Sequence, residues 1–124
     1  VGIILYPEYV KNALHDKQVA TGVTGKFTML VGNDKKHNQY LEVNIELRNK
    51  IKPDRILENM LKEAIVRELK NYSTEYNYLY GGGSVAYRKQ LEPRVKLYAY
   101  ADKKYFGPGT KQKWVLHSPQ LVAA

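Results

Sequence analysis

The residues best placed to do chemistry lie near the C-terminus. In Tyr105-Phe106-Gly107-Pro108-Gly109-Thr110-Lys111-Gln112-Lys113-Trp114-Val115, lysines follow a Gly-Pro-Gly turn and precede an apolar pair. Glycine and proline shape such a loop, and a lysine at its tip is a movable point charge for an anion. Lys111 holds that position, and Lys113 is its fallback. An ordinary loop lysine is the plainer reading of the same residues.

Other chemistries find little support. His15, His37 and His117 fall at an expected helix end, a turn and the chain's tail. No carboxylate pair has metal-ligand spacing, so no metal site is expected. Ser73, Ser84 and Ser118 lack the G-x-S-x-G elbow of a serine nucleophile. Gly81-Gly82-Gly83 has the composition of a phosphate cradle, but no strand precedes it and no Lys-Ser/Thr follows. A loop that breaks a helix explains it better. The absence of cysteine excludes disulfides, thiolate metal sites and a cysteine nucleophile.

The formal charge of +8 is unevenly placed. Residues 88–124 carry Arg88, Lys89, Arg94, Lys96, Lys103, Lys104, Lys111 and Lys113 against only Glu92 and Asp102, a net of +6. Such a segment attracts the phosphates of nucleic acid, a nucleotide or a phosphorylated cofactor. Tyr98, Tyr100, Tyr105 and Trp114 lie among these cations and suit base stacking. A solvated basic face with half-buried tyrosines is the alternative.

The elements that must position these residues are legible in the hydrophobic pattern. The 124 residues suit one domain. No apolar run is long enough for a membrane span, and the apolar start lacks the basic flank of a secretory signal. A cytoplasmic location is expected. A start on Val1-Gly2-Ile3-Ile4 without methionine reads as part of something longer. Pro7 suits a first helical position, and Val10, Ala13 and Leu14 give that helix an apolar stripe ending near Asp16. Lys26–Val31 and Tyr40–Arg48 read as strands of an antiparallel hairpin. Leu41, Val43, Ile45 and Leu47 form its core face, and Glu42, Asn44, Glu46 and Arg48 its wet face. Pro53 opens a long helix to about Asn71, striped by Ile56, Leu57, Met60, Leu61, Ala64, Ile65 and Leu69. Glu58–Lys62 and Glu63–Arg67 have the spacing of favourable surface pairs. Ser73 caps a short second helix through Tyr80. Arg94–Tyr100 is a third strand with Val95, Leu97 and Ala99 inward, and Lys111–His117 a last short edge strand. The expected fold is α+β: a small antiparallel sheet of about three strands with helices packed on one face.

Three groups of residues carry a family resemblance. Gly2-Ile3-Ile4-Leu5-Tyr6-Pro7-Glu8-Tyr9-Val10, with Ala13-Leu14, is similar to the G-x-x-(I/L)-(Y/F)-P-x-x-(I/V) entry to the C-terminal domain of phenylacetate–CoA ligase-like adenylate-forming enzymes. Thr24-Gly25-Lys26-Phe27 and Leu41–Leu47 resemble its hairpin. Ser73-Thr74-Glu75-Tyr76, Pro93-Arg94-Val95 and Gly109-Thr110-Lys111-Gln112-Lys113 resemble its last section, which ends in a glycine-bounded lysine. The group belongs to the acyl-CoA synthetase superfamily and is related to the auxin–amino acid synthetases.

The resemblance implies a ferredoxin-like lid domain over residues 1–117, with 118–124 a tail. It implies an enzyme that joins ATP, with magnesium, to an aromatic or other carboxylic acid and passes the acyl group to coenzyme A. Lys111, with Lys113 as fallback, would serve adenylation. Gly2 would meet the pantetheine arm, and Arg94, Lys96 and Lys104 the cofactor's phosphates. The N-terminal adenylation domain, with its ATP and acid sites, is the implied partner. This domain alone is expected to bind no cofactor and to be inactive. The hinge residues expected before Gly2 are absent from the chain, and Gly81–Gln90 matches nothing in the family pattern. The alternative is a small basic α+β module that binds nucleic acid or protein. No membrane role is expected.

Overall fold

A computed structural model of the chain describes residues 7–33, 35–36, 39–72, 76, 81–82, 92–107 and 115–117. The elements run α1 (Pro7–Leu14), β1 (Val23–Asn33), β2 (Gln39–Leu47), α2 (Arg55–Tyr72), β3 (Arg94–Tyr98) and β4 (Val115–His117). Helix α1 begins at Pro7 and buries the expected Val10, Ala13 and Leu14. It unwinds through three-residue turns, His15 N–H to the Asn12 carbonyl and Asp16 N–H to the Ala13 carbonyl. Asp16 then organises the exit. Its carboxylate accepts from Gln18 N–H, and its carbonyl from Val19 and Ala20 N–H.

Asp54 caps α2, accepting from Ile56 N–H on its side chain at 3.2 Å and from Glu58 N–H on its carbonyl. The buried stripe is Leu61, Ala64, Ile65 and Leu69, with Leu57 and Met60 packed against it. Ile56, expected in that stripe, is 69% exposed in the first turn. Among the described residues, neither expected surface pair within α2 forms an ion pair. Lys62 instead reaches Glu92 at 3.4 Å, and Arg67 bonds Asp16, tying α2 to neighbouring segments. Tyr76 is helical and buried in the core. Gly81 and Gly82, the first two glycines of the expected break, are themselves helical.

The α+β class stands, with helices against one sheet, but the strand directions differ from a purely antiparallel sheet. The sheet order is β3-β2-β1-β4. Strands β1 and β2 form the expected antiparallel hairpin, while β3 runs parallel to β2 and β4 parallel to β1. The cause is the connection. A strand that returns through a crossover such as α2 re-enters beside its predecessor in the same direction, which a tight hairpin cannot do.

The core lies between the helices and one sheet face. Phe27, Met29, Val43, Ile45 and Leu47 from the hairpin meet Val10, Leu14, Leu61, Ile65 and Leu69. Near its open end the hairpin carries a bulge. Val23 pairs with Leu47 and Phe27 with Ile45, so three residues of β1 oppose the single Glu46. Gly25 takes φ +97° there, which a side-chain-bearing residue seldom adopts. Arg48 closes this end, donating its backbone N–H to the Gly22 carbonyl and its Nε–H to the Val23 carbonyl at 2.8 Å.

Candidate functional site

The second sheet face holds the polar chemistry. Register places Arg94 beside Glu42, Lys96 beside Asn44 and Tyr98 beside Glu46, and across the hairpin Thr28 beside Asn44. The face read from alternation as wet is instead closed over Glu42, Asn44 and Glu46, with Arg48 and the β3 cations still exposed. Asn44 is 0% exposed, and Glu46, Thr28 and Glu42 are also buried. Alternation separates the two faces but does not reveal a cover made by residues far away in sequence.

Each buried group is held by a specific partner. The Glu46 carboxylate accepts the Thr24 hydroxyl at 2.6 Å and the Ala101 N–H at 2.8 Å. The bulge turns Thr24 toward it, and Lys26 N–H in turn donates to the Thr24 oxygen. Ala101 sits at φ +59° in the turn after β3, so the carboxylate helps fix an unfavourable backbone position. Asp102 shapes the same turn by accepting from Lys104 N–H on its side chain and Phe106 N–H on its carbonyl. Asn44 donates its amide to the Thr28 hydroxyl oxygen at 3.1 Å, and among the described residues its Oδ1 has no partner.

Glu42 pairs with Lys96 at 3.0 Å. That hydrogen bond, reinforced by the charge, holds the Lys96 ammonium above its ordinary range. Tyr98 is pushed up by burial and, secondarily, by Tyr105. The two tyrosines meet edge to face at 5.4 Å, and Phe106 packs against both. These aromatics pack on one another, which leaves less ring face for a base than their interleaving with lysines suggests. Tyr100 is the exposed member of the group.

The structure divides the predicted cations. Arg94 and Lys96 lie on one face of β3. Lys104 stands in the turn beyond the other end of β3, with its ammonium 5.3 Å from the Tyr105 ring centre. The length of β3 between Arg94 and Tyr98, about 13 Å at the usual strand rise, separates the two ends. Lys96 is committed to Glu42. Arg94 stacks on Tyr40, its guanidinium carbon 3.8 Å from the ring centre. Sequence reasoning singled out Arg94 and missed Tyr40. The signal was its place opposite Gly32, which has no side chain to exclude the ring.

Lys111, Lys113 and Gly2 lie outside the described residues, as do His37, Trp114, Arg88 and Lys89. The chain is described up to Gly107 beside the Glu46 end of the sheet, and again from Val115, which pairs with Met29. Among the described residues, no three histidine or acidic side chains gather where a metal ion would sit. None of the described helices is long and apolar enough to cross a membrane. An open depression of about 460 Å³ runs along α2 between Lys62, Arg67, Lys70 and Glu92. Neither Arg94 nor Lys96 lines it.

The fold is thus that of a small α+β domain with a mixed sheet and one buried polar face. Among solved structures it is similar to a domain of phenylacetate–coenzyme A ligase from Bacteroides vulgatus ATCC 8482. The TM-score is 0.54 and the identity 17%, over 95% of this chain and 90% of that chain. At that identity the likeness is one of fold. No protein-family model and no curated protein sequence matches the chain.

Proposed function

We propose that this chain is the mobile domain of an ATP-dependent carboxylate–CoA ligase. The observation that carries the reading is the fold likeness to a domain of phenylacetate–coenzyme A ligase across nearly the full length of both chains. The glycine-bounded Lys111 in the matching order of motifs supports it independently. In the first half-reaction a substrate carboxylate attacks the α-phosphorus of ATP, forming an acyl-adenylate and releasing pyrophosphate. In the second, the thiol of coenzyme A attacks the acyl carbon and AMP leaves.

Lys111 serves the first step. Charge develops on the phosphate oxygens as the anhydride breaks, and an ammonium delivered on a loop stabilises it. Lys113 is the fallback. Gly2 lies against the pantetheine arm in the second step. Of the three cations assigned to cofactor phosphates, Arg94 and Lys104 are the better suited, because Lys96 is already paired with Glu42. Magnesium arrives with ATP, and the acid is held by an N-terminal adenylation domain that this chain closes over. Acid selection resides in that partner.

The test uses the full-length ligase that carries this domain. Lys111→Ala slows acid-dependent ATP–pyrophosphate exchange by at least about a hundredfold, the scale of losing one aimed transition-state donor. Thioester formation from supplied acyl-adenylate continues. Unchanged exchange, with Lys113→Ala also active, removes the reading.

A further inference from the structure

At the hairpin-tip end of the sheet, three strands build one flat platform. Gly32 of β1 pairs with Tyr40 of β2. A Cβ on Gly32 would stand 2.6 Å from the Tyr40 Cζ and Oη, so only glycine lets the phenol ring lie over β1. Arg94 of β3 lays its guanidinium on that ring at 3.8 Å. Stacking orders a side chain that is otherwise rich in rotamers, and it leaves the in-plane N–H groups free to donate.

The charge of Arg94 is not neutralised. It is exposed, and among the described residues no carboxylate pairs with it. The neighbouring cations differ: Lys96 is paired with Glu42, Lys62 with Glu92 and Arg67 with Asp16. Lys35, exposed on the turn that joins β1 to β2, adds positive potential at the same end of the sheet. A planar fork held rigid, uncompensated and open to solvent matches two oxygens of a tetrahedral anion.

We propose that the Gly32–Tyr40–Arg94 platform is a binding site for a phosphomonoester group. Arg94 donates two parallel hydrogen bonds to it, and Tyr40 fixes the direction of that fork. A phosphomonoester suits the site better than a carboxylate because its second negative charge uses the added potential of Lys35. The site lies at the opposite end of β3 from Lys104 and the turn that follows. The proposal deepens the assignment of Arg94 to a cofactor phosphate and rests on that reading for the source of the phosphate, while phosphate binding by this chain and pyrophosphate exchange by the ligase are measured separately.

The experiment titrates the 124-residue chain with inorganic phosphate and, separately, with adenosine 3′,5′-bisphosphate at low ionic strength. Affinity is read by calorimetry, and the site by the Nε–H resonance of Arg94. Saturable movement of that resonance is expected with both ligands. Tighter binding of the nucleotide assigns additional contacts to its base or sugar, and equal binding assigns the affinity to the phosphate alone. Arg94→Lys keeps the charge but loses fork and stack, and weakens binding about tenfold or more. Tyr40→Leu weakens it, Tyr40→Phe retains it, and Lys17→Ala, remote from the platform, leaves it unchanged. Both Arg94→Lys and Tyr40→Phe are conservative enough to keep the fold. An unmoved Arg94 resonance overturns the proposal. So does binding that Arg94→Lys leaves intact, or that Lys17→Ala weakens equally.

Discussion

The two faces of the sheet are buried by different means. The helix face is closed by Phe27, Met29, Val43, Ile45 and Leu47 against α1 and α2. The opposite face buries Thr28, Glu42, Asn44 and Glu46, while Arg94 and Lys96 on it stay exposed. On the first face burial itself is the driving force, proportional to apolar area removed from water. On the second, each polar group loses hydration and must recover it from a partner. Packing there is directional: the Glu46 carboxylate is satisfied only if Thr24 and Ala101 stand where they do. The apolar face thus supplies stability, and the polar face fixes the position of the turn after β3.

The largest effect should come from the helix face. Ile45→Ala removes a side chain with no exposure at the middle of β2. It should destabilise the chain by about 2–5 kcal/mol, read from urea denaturation midpoints at unchanged slope. A loss no larger than that of an exposed-site control such as Ile56→Ala would show that the helix face is loosely packed.

On the polar face, Glu46→Ala should rank next. It removes the charged acceptor of the exposed Thr24 hydroxyl and the half-buried Ala101 N–H, at about 1.5–3 kcal/mol for hydrogen bonds to a charged group. Its signature differs from a cavity. Amide exchange at Ala101 should speed up more than at the centre of β2, because the turn is released while the core stays packed. Uniform acceleration would mean that Glu46 supports the whole sheet.

Much of the fold was legible in the residues. Pro7, the Val10/Ala13/Leu14 stripe and the Leu61/Ala64/Ile65/Leu69 stripe mark both helices, because helical periodicity is a local property. The alternation over residues 41–47 correctly assigns which side chains share a face. It could not show that Glu42, Asn44 and Glu46 are covered, since Ala101 and Lys96 reach them from about fifty residues away in the chain. Strand direction is likewise a property of the crossover rather than of any strand. For the candidate site, the sequence named cations but not where the fold puts them. A run of cations in sequence suggested one patch, yet β3 carries Arg94 and Lys104 to opposite ends.

Asn44 provides a finer probe of the polar face. Its amide bonds Thr28, while its buried Oδ1 has no partner among the described residues. Asn44→Leu alone orphans the Thr28 hydroxyl and should destabilise by about 1 kcal/mol. Combined with Thr28→Val, which removes the orphan, the double variant should recover most of that loss. A double-mutant cycle in urea reads the coupling directly. Strict additivity would mean that the Asn44–Thr28 bond contributes nothing to stability.

The smallest effect lies in alkali, where two polar-face groups act in the same direction. Lys96 has its ammonium held above the ordinary 10.5, first by the hydrogen bond it donates to the Glu42 carboxylate and then by that carboxylate's charge. A cation raised in the folded state gives stability that is complete below the unfolded value and lost as pH rises through the folded one. Tyr98 is raised above its ordinary 10.0, chiefly by burial. The unfolded chain therefore ionises this phenol first, which again favours unfolding as pH climbs. Denaturation midpoints should fall above about pH 10 and be flat below it on account of these two groups. Solvent screens the exposed Lys96, so Tyr98→Phe should flatten the decline more than Lys96→Met. The reverse order would place the stronger ionic linkage on the Lys96–Glu42 pair, making it a firmer tie between β2 and β3 than its exposure indicates.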